Sequence, residues 1–173
     1  FVWLAVAAVT ILLHQRRPET LLGPPTIAWM QAKFGIGALG LLFAVLFMLP
    51  PYRHDPPLQD GLDLARWIAL LAPALIAIFI QTSAEEVLFR GYMQQQLAAR
   101  FTSPLVWLLV PSVIFGLAHY APETYGSNAW FVVIWAAMFG LLAADLTARS
   151  GTLGPAIALH FVTNVSAILL VAP

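Results

Sequence analysis

Charged side chains almost vanish from six long stretches of this chain, and no other feature constrains its fold as tightly. The stretches are Phe1–Leu13, Thr26–Leu49, Leu64–Ser83, Leu105–Tyr120, Ala129–Leu146 and Leu153–Val171. Each but the first is near the ~17–25 residues a helix needs to cross a bilayer core. Only 9 % of the 173 residues are charged and 61 % are hydrophobic, whereas a soluble domain carries about 25 % charged residues. That excludes a water-soluble fold and a disordered chain. It also excludes a nucleic-acid partner, which would need a basic surface. Eight Lys+Arg balance eight Asp+Glu, so no net field steers a charged partner. Backbone inside lipid must satisfy its own hydrogen bonds, so the expected fold class is all-α: one polytopic transmembrane helical bundle of about six spans over residues 1–173.

Breaks at Arg17-Pro18, Gly23-Pro24-Pro25, Pro50-Pro51, Pro56-Pro57, Ser103-Pro104, Pro122 and Ser150-Gly151 separate the stretches. Phe1–Leu13 is too short to cross and lacks a basic leader, so it reads as the tail of a helix whose start is missing. Arg16, Arg17, Arg90, Arg100 and Arg149 flank one set of loops, and Arg53 and Arg66 the other. The basic excess places loops 14–25, 90–104 and 148–152 in the cytoplasm. Gly35, Gly37 and Gly40 are expected to permit close helix packing. Trp3, Trp29, Trp67 and Trp130 read as interfacial anchors, and Lys33 as a snorkelling side chain. Asp145 and Arg149 form a surface i, i+4 pair, while His14, Arg16, Arg17, Arg53, His54 and Glu123 read as solvent or headgroup contacts.

Ionisable groups within spans are costly, which makes them functional candidates. Ser83–Phe101 (SAEEVLFRGYMQQQLAARF) holds strong helix formers and no proline, so the third stretch should continue through it as one long helix. Gln94, Gln95, Gln96 and Arg100 are then expected to emerge into water. Glu85 and Glu86 cannot both stay charged cheaply in an apolar helix. Arg90 lies four residues after Glu86, in the favourable order for an ion pair. Glu85 points about 100° away and is expected to lack a local partner, which leaves it available as a general base. The following turn centres on Thr102, midway between Glu85 and His119, so an antiparallel hairpin puts those two at one height. His160 and Asn164, at i, i+4, share a face roughly 6 Å apart and can both donate to one oxygen. His160 would lie about 12–15 Å from the cytoplasmic end. A carboxylate, an imidazole to orient water and a paired oxyanion donor suit the hydrolysis of an amide.

EEVLFR (Glu85–Arg90), FGLAH (Phe115–His119) and HFVTN (His160–Asn164) fit EExxxR, FxxxH and HxxxN, in that order. RGYMQQQL follows the first and SGTLGPAIALH leads into the last. Over about Leu75–Ala167 this resembles the CPBP family of intramembrane proteases, which includes CAAX prenyl endopeptidases and bacteriocin-processing or immunity-type homologues. The resemblance implies a protease-like core at about 64–172, with Glu85 activating water, His119 holding it, His160 and Asn164 forming the oxyanion site, and Glu86, Arg90 and Phe115 in support. It implies a peptide or protein substrate at the membrane, prenylated in the CAAX case. The family has been described both as metalloproteases and as glutamate proteases. No HExxH pair is present, so metal-free chemistry is favoured, with Zn²⁺ on Glu85, His119 and His160 as the minority alternative. With no cysteine, and no serine beside a base, the expected reaction is direct water attack without an acyl-enzyme. The expected location is a bacterial cytoplasmic membrane. Two other classes use the same residues: a non-catalytic immunity or peptide- or lipid-binding protein, and a proton-coupled carrier, which no inverted repeat supports.

Overall fold

A computed structural model describes residues 1–49 and 64–171. The breaks at Pro50-Pro51 and Pro56-Pro57, and Arg53 and His54, lie outside them. Six apolar helices carry the described chain, one for each expected stretch. They are α1 (Val2–Leu12), α2 (Pro25–Met48), α3 (Leu64–Glu86), α4 (Pro104–Ala118), α5 (Ala129–Ser150) and α6 (Gly154–Val165). Among the described residues there is no strand. Proline opens α2 and α4 and sits in the first turn of α6, where its missing N–H costs nothing.

Helices Pro25–Met48, Ala65–Ala98 and Pro122–Ser150 are long and apolar enough to cross a membrane. The others fall short of the expected span length. At 15 residues α4 rises roughly 22 Å, less than a hydrocarbon core of about 30 Å. The long third helix continues past Glu86, as its sequence predicts, but not as regular α-helix. It widens to i→i+5 bonding over Val87–Gln94 and closes with one α-turn, Gln95–Ala98.

Register follows from a few contacts. Phe89 and Phe115 meet edge-to-face at 5.1 Å, and residue 102 is their midpoint, so the end of the long third helix and α4 form the expected antiparallel hairpin. Arg90 donates to Gly140 O and Gln94 to Ala144 O, with one constant separation, so the long third helix and α5 run parallel there. The face of α5 that allows this is made of small residues: Ala136, Gly140, Ala143 and Ala144, all buried. Gly116 lies so close to Val133 O that a Cβ there would clash, which draws α4 onto α5.

Helix α2 packs along α6. Gly35 faces Ala158, and a Cβ on Gly154 would fall on Ala28 O. Gly37 and Gly40, by contrast, have open space around them, so the close-packing expectation is met only at Gly35. Loops at one end are tied together. Leu153 N donates to Leu22 O and Gln95 to Leu21 O. Gly23 and Gly151, both at positive φ, make the turns. This brings together segments of the three loops assigned above to one side of the membrane.

Candidate active site

The long third helix supplies most of the site. Its wide turn places three polar side chains against partners outside their own helix: Arg90 on α5, Tyr92 on His14 at 2.9 Å, and Gln94 on α5. Gly91, midway, keeps the wall thin where Leu21 and Leu153 press against it. These external bonds hold a geometry that an isolated helix would not keep.

Glu86 and Arg90 are fully buried, 0 % exposed, and form the expected ion pair at 2.9 Å. Arg90 also donates to Gly140 O at 3.0 Å, and its guanidinium lies 4.6 Å from the centre of the Phe115 ring. Removal of a Cβ at position 140 is what admits the guanidinium there. Glu86 is not simply a partner for arginine, however. Its Oε1 also takes Nδ1 of His160 at 2.7 Å, across from α6. A carboxylate oxygen only accepts, so Nδ1 carries the proton and the His160 ring turns Nε2 away from Glu86. The ring is wedged between Phe115 and Phe139, with centroids at 5.8 and 5.1 Å.

Nε2 of His160 faces Glu85 Oε2 at 3.8 Å, too far for a hydrogen bond and short enough for one shared oxygen to stand beside both. The Glu85 side chain is 26 % exposed, so unlike Glu86 it can be reached from outside. It does not lack a local partner. Gln81, one turn earlier, donates to Glu85 Oε1 at 3.1 Å, which corrects the sequence expectation. Gln81 stands at i−4, a spacing that could have flagged it. Oε2 remains directed to His160.

His119 closes α4. Its Nδ1 donates to Phe115 O at 2.8 Å, and its ring lies 4.5 Å from that of Phe115. The carbonyl can only accept, so His119 also keeps Nε2 free. Phe115 therefore touches both imidazoles and Arg90. Asn164 is half-buried, one turn beyond His160. Among the described residues no group of three or more His, Asp or Glu side chains could hold a metal ion. The structure thus gathers Glu85, Glu86, Arg90, His160 and Phe115 into one contact network, and His119 joins it through Phe115.

Several polar residues differ from expectation. Gln94 is buried rather than in water, because the Ala144 carbonyl lies beside it. Gln95 is half-buried on Leu21. His14 pairs with Tyr92 instead of solvent, since α1 lies against the wide turn. Trp3 donates to Ser83 Oγ at 3.3 Å and is half-buried, so it ties helices together instead of anchoring at a surface. Lys33 lies over Trp29 at 5.6 Å, and Asp145–Arg149 is the expected exposed pair. The contributions of Gly140, Gln94 and Phe139 were missed. For Gly140, the spacing Ala136, Gly140, Ala144 was the available signal.

A family model described as type II CAAX prenyl endopeptidase Rce1-like matches residues 66–166. The chain is 30 % identical over 167 residues to the uncharacterized protein YyaK of Bacillus subtilis (strain 168). That alignment covers 95 % of this chain and 54 % of YyaK, so the chain spans about half the length of this curated relative. No solved structure matches.

Proposed function

The chain belongs to the type II CAAX prenyl endopeptidase Rce1-like family, and from that premise we propose that it is an intramembrane endopeptidase whose base is Glu85. The observation that carries this reading is the pairing of one reachable carboxylate with one fixed imidazole. Glu85 Oε2 and His160 Nε2 face each other across 3.8 Å, and each is held from behind, by Gln81 and by Glu86.

The chemistry follows from that geometry. A water on Glu85 gives its proton to the carboxylate as its oxygen attacks the carbonyl carbon of the peptide. The carbonyl oxygen becomes an oxyanion beside His160. When its Nε2 also carries a proton, the ring is an imidazolium stabilised by Glu86 and donates to that oxyanion. Asn164, on the same helix face, is the second donor, and His119 Nε2 holds the water from the other side. The proton on Glu85 then passes to the leaving nitrogen, and the peptide bond breaks. Glu86 and Arg90 are positioning residues, since they act through His160. The route needs neither a metal nor a covalent intermediate.

The family's name makes a prenylated CAAX peptide the first substrate to assay. A groove of about 300 Å³ between α2 and α6 supports an apolar substrate arm. Phe43, Phe47, Phe161 and Val165 line it, and Phe161 adjoins His160 in sequence. The working site is a membrane, which we take to be a bacterial cytoplasmic membrane.

The test is peptide release by the purified parent and by Glu85→Gln. Loss of a general base should lower kcat roughly 10²–10⁴-fold with folding intact. A chelator should leave the parent's rate unchanged. Glu85→Gln cleaving at the parental rate overturns the mechanism. A parent that binds the peptide without releasing product favours the non-catalytic binding reading instead.

A further inference from the structure

Three buried side-chain atoms have no hydrogen-bond partner among the described residues: Glu86 Oε2, Arg90 Nε and Gln94 Oε1. They are not scattered. Residues 86, 90 and 94 follow one another at i, i+4 along a single helix face, and in order they are an acceptor, a donor and an acceptor. Buried polar atoms left unpaired cost free energy, so three in line call for a common partner.

A pocket of about 310 Å³ is lined by two of these three residues, Arg90 and Gln94. Arg90, Gln94 and Ala98 line it from the third helix, Thr147 and Ala148 from α5, and Thr20 and Thr152 from the loops. Ala98 and Ala148 are exposed and Arg90 is fully buried, so the pocket runs from the loop end down to the guanidinium. Most of the polar groups around it already have partners: Thr147 donates to Ala143 O, Gln95 to Leu21 O and Thr152 to Gln31. The groups still open are those at the floor.

Charge and spacing identify the occupant. Arg90 is already neutralised by Glu86, with Glu85 adjacent, so a further anion has little to gain. Residues 86, 90 and 94 succeed one another by about a turn along the helix, so linked waters making hydrogen bonds of about 2.8 Å can bridge from one polar atom to the next. One molecule must accept the single Arg90 Nε–H, and it or its neighbours must donate to the Glu86 and Gln94 oxygens, which linked waters do. At about 30 Å³ per molecule the pocket has room for roughly ten waters.

We propose that this pocket is a hydrated inlet, and that a file of waters bonded to Gln94, Arg90 and Glu86 carries water from the loop end to the catalytic cluster. The supply role rests on the hydrolytic reading above; the hydration does not. Water and substrate would then approach the cluster from different sides, the substrate at the exposed edge of Glu85 and the water behind Arg90.

The chain has no cysteine, so single thiols can be read without background. Thr147→Cys and Ala148→Cys probe the pocket, Ser103→Cys the loop, and Leu142→Cys the exposed apolar face. In liposomes with a charged, water-soluble thiol reagent on both sides, both pocket thiols should react like Ser103→Cys and on the order of tenfold or more faster than Leu142→Cys, because the reacting thiolate needs water. Placed over Thr147→Cys, Ala98→Trp at the mouth should slow its labelling about tenfold and lower kcat by a similar factor with KM unchanged, an effect on the chemical step. Pocket thiols as slow as Leu142→Cys would overturn the hydrated file. Slow labelling under Ala98→Trp with unchanged kcat would overturn its role in supply. If the parent releases no peptide while the pocket thiols still label fast, the hydration stands and the hydrolytic reading falls.

Discussion

Helix α2 and the wide turn of the third helix are both drawn from apolar sequence, yet they serve opposite purposes. Over its 24 residues α2 has no buried residue, and Phe34, Leu41 and Met48 are among its exposed side chains. The eight residues Val87–Gln94 have five buried, two of them polar. Hydropathy alone does not separate a helix that lipid surrounds from one that protein surrounds. Polar residues do, because each must find a partner and the partner fixes a neighbour. In α2 the glycine that meets Ala158, the start of the helix near Gly154 and Gln31, bonded to Thr152 and Ser150, are held, all on the side that faces α6.

The sharpest way to break this contrast is Arg90→Met. It leaves Glu86 buried without its cation and should cost about 3–5 kcal/mol, seen as a large fall in thermal unfolding midpoint in detergent. Arg90→Lys should recover little of that loss, because an ammonium cannot reach Glu86 and Gly140 together with the same planar fork. Gly154→Ala comes next. Its methyl group falls on the Ala28 backbone, and overpacking of this kind costs about 1–3 kcal/mol. Tyr92→Phe removes the bond to His14 and should cost about 0.5–1.5 kcal/mol by the same measurement, without changing KM. Smallest of all is Gly37→Ala on α2, where the added carbon meets nothing and stability should stay within about 0.5 kcal/mol. If Gly37→Ala destabilised as much as Gly154→Ala, the view of α2 as packed along its α6 face alone would be wrong.

The parts readable from sequence are those that one helix or one hairpin determines. The spacing from Glu86 to Arg90 is a property of a single helix, and its ion pair formed as expected. The midpoint at residue 102 is a property of a single turn, and the Phe89–Phe115 contact obeys it. What was hidden depends on the approach of a third element. No periodicity tells that α6 brings His160 to Glu86, 74 residues away, or that Ala144 lies beside Gln94. A glutamine run reads as hydrophilic until a small-residue face offers it carbonyls.

The wide turn also sets a condition on how such a chain can change its length. Regular winding advances about 100° per residue. An i→i+5 stretch holds about one residue more than regular winding, so deleting one residue between positions 87 and 94 would let it close to regular α-helix, leave the later glutamines and Arg100 near their bearing, and move Arg90 or Gln94 within the stretch off Gly140 and Ala144. Glu85 and Glu86 lie before the deletion and would keep their bearing. Loop insertions leave helix bearings alone, whereas a one-residue change in this stretch trades the wide turn, and the external bonds it serves, for a regular one.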